Sequence, residues 1–177
     1  MDLAIIPECY IDTNLIETLV PPTSQYNHQK GCGKVTKVMK EKFPDSFALG
    51  IIDKDKQEVD YLKEFNILRQ TDYLILHRHN KPAIHHYIIQ INPAMERFIL
   101  DGASIAGISL TDFGLPEELE AFKKTSKSVA TKNDWRFKEL FRSMYAAGVE
   151  DIVRLANWVR YLKENTYKAE ADKLISI

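Results

Sequence analysis

The chain has 177 residues, 45% hydrophobic and 28% charged, the make-up of one globular domain or of one domain with an added subdomain. With 24 basic and 25 acidic residues its formal net charge is -1, which excludes a global basic field, so any phosphate contact must come from a local patch. Two cysteines, Cys9 and Cys32, are too few for a disulfide framework and point to a reducing compartment.

Asp2 and Glu8 bracket only the run Leu3 to Pro7, so neither a signal peptide nor a membrane span is expected, and the cytoplasm is the expected location. Leu3-Ala-Ile-Ile6 is short, continuous and apolar, as in a strand covered on both faces of a parallel sheet, and it ends at Pro7-Glu8. Asp12, Thr13 or Asn14 is expected to cap a helix whose apolar face is Leu15, Ile16, Leu19 and Val20, and Pro21-Pro22 stops it. The polar stretch Thr23 to Lys30 has room for one short strand. After Gly31-Cys-Gly33, Val35, Val38, Met39 and Phe43 mark a second amphipathic helix, closed by Pro44. Phe47 to Ile52 reads as a strand, followed by a charged helical turn around Glu58 to Phe65 and another strand at Tyr73 to Leu76.

Ile84 to Ile91 can pair as a further strand, and a helix begins after Pro93 with Met95, Phe98 and Ile99 inward. Beyond Gly114 the pattern is helical: Pro116 to Lys124, then Trp135, Phe137, Leu140, Phe141 and Met144, then Ile152, Leu155, Ala156, Val159 and Leu162. The alternation predicts an α/β fold, a mostly parallel sheet flanked by helices over residues 1–110, with a C-terminal helical subdomain over 111–177.

Chemistry is suggested first by Phe47-Ala-Leu-Gly-Ile-Ile-Asp53-Lys-Asp55, an apolar run ending in two acids spaced two apart. In an extended backbone such side chains project to one side. Converging carboxylates repel unless a proton or cation lies between them, and magnesium or manganese takes oxygen ligands of this kind. The alternative is a polar turn. Ligands of parallel α/β sheets gather at the carboxyl ends of strands, where Glu8 also falls. Asp12 can join this set or act as a helix cap, and Glu96 can add a further acid or simply complement its helix dipole. Gly31-Cys-Gly33 opens a lysine-rich helix, where backbone N–H groups of Gly31 and Gly33 with Lys30 and Lys34 can hold a phosphate; the alternative is a solvated helix face. His77, Arg78, His79, His85 and His86 form the densest titratable cluster, read as polar strand ends in preference to a zinc site. Nucleophile elbows and dinucleotide glycine patterns are absent from the sequence.

These residues resemble the Toprim domain family, found in topoisomerases, primases, recombination proteins and the overcoming-lysogenization-defect nucleases. That family carries a glutamate at the end of its first strand and Asp-x-Asp at the end of a later one, matched by Glu8 and by Asp53-Lys-Asp55. Glu8-Cys-Tyr-Ile-Asp12 matches the Glu-Gly-x-x-Asp of stand-alone members, with Cys9 in place of the glycine. Gly31-Cys-Gly33 is similar to their glycine-bearing turn and Met95-Glu96 to a later glutamate-bearing helix start. The resemblance covers about residues 1–105 and rests on short motifs. It implies Mg2+ or Mn2+ on the acids, Glu8, Asp53 and Asp55 in catalysis, and phosphodiester chemistry on nucleic acid, hydrolysis being favoured. The competing expectation is a non-catalytic module of the same fold that engages a protein partner through its C-terminal helices. An enzyme acting on a phosphorylated small molecule is a third.

Overall fold

The computed structural model describes residues 2–54 and 59–177. A 3-10 turn over Asp2–Ala4 leads into β1 (Ile5–Pro7), and α1 (Tyr10–Leu19) and α2 (Cys32–Lys42) precede β2 (Ala48–Asp53). A second 3-10 turn (Asp60–Glu64) runs directly into β3 (Phe65–Gln70), followed by β4 (Leu74–His79) and β5 (His86–Ile91). The rest is helical: α3 (Met95–Ile105), α4 (Leu119–Ser126), α5 (Trp135–Ala146), α6 (Glu150–Asn165) and α7 (Ala171–Ser176). Among the described residues no helix is long and apolar enough to cross a membrane.

The five strands form one open sheet in the order β1-β2-β5-β4-β3. β1, β2 and β5 run parallel, whereas β4 and β3 are antiparallel to their neighbours. The fold is therefore α/β, but the sheet is mixed and not mostly parallel as expected. The reason lies in the connections. Residues 71–73 and 80–85 are far too short for a crossover helix, so β3, β4 and β5 can only fold back as hairpins. Thr71 Oγ1 closes the first of these turns by accepting from the Leu74 N–H at 3.0 Å. β3 escaped the sequence reading because it is an edge strand with little inward face: Ile67 is 56% exposed, and a bulge shifts the register between Ile67 and Arg69.

Side chains alternate across the sheet with period two. Leu49, Ile51, Tyr87, Ile89 and Ile91 face the larger core with α1, α3, α5 and α6. Ala48, Ile52 and Ile88 face a smaller one built with Val35 and Met39 of α2 and with Tyr61, Leu62 and Phe65. A Cβ on Gly50 would stand 3.0 Å from both Met39 Sδ and Val35 Cγ1, so the glycine lets α2 lie tightly on β2. The helices beyond Gly114 share the larger core with the sheet. Asn14 on α1 ties them down by donating to the carbonyls of Thr131 (2.6 Å) and Asp134 (3.1 Å). Trp135, expected inward, is 67% exposed: Phe137, Leu140, Phe141 and Met144 form the buried stripe, and a residue two before Phe137 points away from it.

Candidate functional site

The parallel pairing of β1 with β2, Pro7 opposite Ile51, carries Glu8 to the end of β2. The Glu8 N–H donates to the Ile51 carbonyl at 3.0 Å, and the Asp53 N–H returns a bond to Glu8 Oε2 at 2.9 Å. On its other side β2 pairs with β5, Asp53 opposite Ile91, and the chain leaving β5 turns into α3. Asp53 Oδ1 accepts the Met95 N–H at 2.9 Å, at the first turn of that helix, where free N–H groups and the helix dipole favour a carboxylate. Glu96 is the next residue, and its Oε1 accepts from Ser126 Oγ on α4 at 2.6 Å. Three of the expected acids, Glu8, Asp53 and Glu96, thus border one cavity of about 530 Å³. Asp55 lies outside the described residues.

Asp12 occupies a different place from the one expected. The helix begins at Tyr10 with Cys9 as its cap, so Asp12, Thr13 and Asn14 fall inside the first turns and none of them is the cap residue. Asp12 is fully buried and completes a reciprocal capping box, accepting from the Cys9 N–H at 3.1 Å and from Cys9 Sγ at 2.8 Å. It sits behind Cys9, which lines the cavity. The thiol replaces the usual hydroxyl in this role, and its acidity is low because burial, then the Asp12 charge, push its pKa well up.

The acids act on one another. Burial raises the Asp53 pKa most, and the charges of Asp12, Glu8 and Glu96 push it the same way against the Met95 N–H. Asp12 is raised by burial, opposed by the Cys9 thiol and reinforced by Glu8 and Glu96. Such a set must take up a proton or a cation to reach its lowest free energy. Its donors toward the cavity are all carboxylate oxygens, the chemistry that hard divalent ions accept. Among the described residues no three His, Cys, Asp or Glu side chains already stand grouped for a metal ion, Glu8, Asp53 and Glu96 each being engaged by a protein donor.

The cavity rim is basic and aromatic. Lys30 and Gly31 lie on it, and Gly31 takes φ +96°, a conformation that favours glycine. Gly33 and Lys34 belong to the first turn of α2 and do not line the cavity wall. Tyr10, His28, Lys123 and Lys127 complete the wall and were not foreseen. Lys123 and Lys127 carry the only available sequence signal, a helical spacing that puts both on one side of α4, near Ser126.

His79, His85 and His86 lie at the opposite ends of the strands. His86 Nε2 donates to the Phe43 carbonyl at 2.8 Å, and Tyr61 OH meets His86 Nδ1 at 2.6 Å. His79 accepts the Lys81 N–H through Nδ1 and turns Nε2 toward Glu64, 3.4 Å away. His77 Nε2 approaches Gln90 Oε1 at 3.3 Å. His79 and His86 are thus polar groups at strand ends with protein partners, whereas His77 lies within β4, opposite Ile88. Compared with protein-family models, with curated proteins and with solved structures, the chain matches none.

Proposed function

We propose that this chain is a Toprim-like, metal-dependent enzyme of phosphodiester chemistry on nucleic acid, nuclease-like in its reaction. The observation that carries the reading is the meeting of Glu8 with Asp53 at the ends of two adjacent parallel strands, 2.9 Å from carboxylate oxygen to backbone nitrogen, inside a cavity with a lysine rim. Glu8, Asp53 and Asp55 are the residues assigned to hold Mg2+ or Mn2+, with Asp12 and Glu96 as further acids of the set. A cation there would supply Lewis-acid activation of a phosphoryl oxygen and of water. The chain's own part is positional: Asp53 is fixed by the Met95 N–H, and Lys30 and Lys127 on the rim offer charge to a phosphate backbone.

Calorimetric titration with magnesium and manganese, followed by cleavage assays on single- and double-stranded substrates, tests this. The expected result is cation binding that Asp53→Ala removes, with cleavage reduced by at least about 100-fold in Asp53→Ala and Glu8→Gln. Absence of both cation binding and cleavage in the unaltered protein sinks the reading. The way Cys9 locks Asp12 into a buried capping box favours one alternative, a non-catalytic module acting through a protein partner on its C-terminal helices. Cation binding without turnover on any nucleic acid is its signature.

A further inference from the structure

We infer that the cavity receives an unpaired nucleotide, its base stacking on the Tyr10–His28 pair and its phosphate lying between Lys30 and the carboxylates. This names a substrate class for the site just described and rests on that reading for the role of the acids.

The two rings lie 4.5 Å apart between centroids and only 16° from parallel. Every other ring pair among the described residues is tilted or edge-on. Tilted and edge-on contacts are usual where aromatic side chains fill a core. This parallel stack is half-buried and both of its residues line the cavity, so the pair offers ring surface to whatever enters.

The pair is held in place from both sides. Tyr10 is the first residue of α1, two positions after Glu8. His28 is delivered by a chain segment laid along β1, in which the Asn27 N–H donates to the Ile5 carbonyl and the Gln29 N–H to the Pro7 carbonyl, each at 3.0 Å. The Thr13 hydroxyl donates to the Cys9 carbonyl at 2.7 Å, so at 3.1 Å it accepts from His28 Nδ1–H, which sets the tautomer. The imidazole is neutral at pH 7, since burial lowers its pKa. A neutral, immobilised stack of this kind reads no particular base edge and accepts any base by its π-face.

The volume agrees. At about 530 Å³ the cavity falls in the size range of small-ligand sites. A base inside a duplex has both faces occupied by its neighbours, so it reaches such a stack only when unpaired. Lys30 and Lys127 are exposed residues of the cavity lining, and Lys123, also in the lining, pairs with Glu120.

The test is a binding measurement made by fluorescence anisotropy on the full chain, once in chelator and once with Ca2+ as the cation between the acids and the phosphate. The probes are labelled single-stranded DNA and RNA oligonucleotides, the same DNA as a blunt duplex, and AMP as competitor. Single strands are expected to bind more tightly than the duplex. Tyr10→Ala should weaken single-strand binding by about tenfold or more while Tyr10→Phe and Tyr10→Trp retain it. An oligonucleotide with one abasic position should lose a comparable factor on the unaltered protein and little further on Tyr10→Ala. Thermal melts of each variant separate lost stacking from lost folding, and Tyr10→Leu, which keeps apolar bulk without a π-face, should behave as Tyr10→Ala. Full competition by AMP assigns the site to free nucleotides; competition by oligonucleotides alone assigns it to strands.

Unchanged single-strand affinity in folded Tyr10→Ala and His28→Ala, or tighter binding of the duplex, overturns the inference. Metal-dependent cleavage of duplex indifferent to Tyr10 overturns it while leaving the phosphodiester reading intact. Tyr10-dependent strand binding with no cleavage does the reverse.

Discussion

The two ends of the sheet both bury titratable side chains, and they do so with opposite consequences. At the amino end of β5, His86 bridges Tyr61 and the Phe43 carbonyl, and burial keeps the ring neutral by lowering its pKa. Neutral imidazole meets its partners fully, so that end is at rest. At the carboxyl end of β2, fully buried Asp12 and half-buried Asp53 lie among Glu8 and Glu96, and desolvation plus like charge raise both pKa values. Hydrogen bonds from Met95 and Cys9 oppose that rise without cancelling it. Desolvation thus yields a structural pin where the group can discharge itself, and a latent ligand site where several acids cannot all do so.

The largest effect should come from breaking the end at rest. His86→Ala leaves the Tyr61 hydroxyl and the Phe43 carbonyl without their buried partner and is expected to cost about 3 kcal/mol, read as a lower denaturant midpoint. A loss below about 1 kcal/mol would show that this end is not a pin.

At the acid end the sign reverses. In chelator, Asp53→Asn keeps an acceptor for the Met95 N–H but removes the charge, and should stabilise the protein at pH 7 by about 1–2 kcal/mol. The pH dependence sharpens the contrast. An aspartate whose folded pKa is raised binds more protons in the native than in the unfolded state, so its contribution falls as pH rises above the ordinary aspartate range, about 4. His79 and His86, whose folded pKa values are lowered, contribute stability that is lost as pH falls below about 6.5. Denaturant midpoints from pH 4 upward should therefore show a loss on the alkaline side that Asp53→Asn reduces and magnesium relieves, and an acid-side loss that neither alters. An alkaline limb unchanged by Asp53→Asn would contradict mutual repulsion among the acids.

The smallest effect tests the capping box beside that site. Cys9→Ser retains a donor for Asp12 and is expected to stay within about 0.5 kcal/mol, whereas Cys9→Ala should cost about 1 kcal/mol by thermal melt.

Much of this arrangement was legible in particular residues. The run Phe47 to Ile52 ending in Asp53 reads as a strand with an acid at its mouth, and Phe137, Leu140, Phe141 and Met144 read as one face of a helix, because apolar period and length leave few alternatives. The acids Glu8, Asp53 and Glu96 were marked by their positions just after strands or at a helix start. Tyr10 and His28 carried no such mark: the rest of α1 and the segment after it lie between them, and nothing local states that the chain after Pro22 returns along β1.

By itself, then, the sequence determined the α/β class, the main helical faces and the candidate acids, since these follow from periodicity and from interactions within a few residues. Tertiary structure alone decided that β3 and β4 turn back to make a mixed sheet, that Cys9 and not Asp12 caps α1, that α4 brings Ser126 and Lys127 to the acids, and that Tyr10 lies flat on His28. Each of these depends on which distant surfaces bury one another, and that is settled by the packing of the whole core, not by the preferences of any single segment.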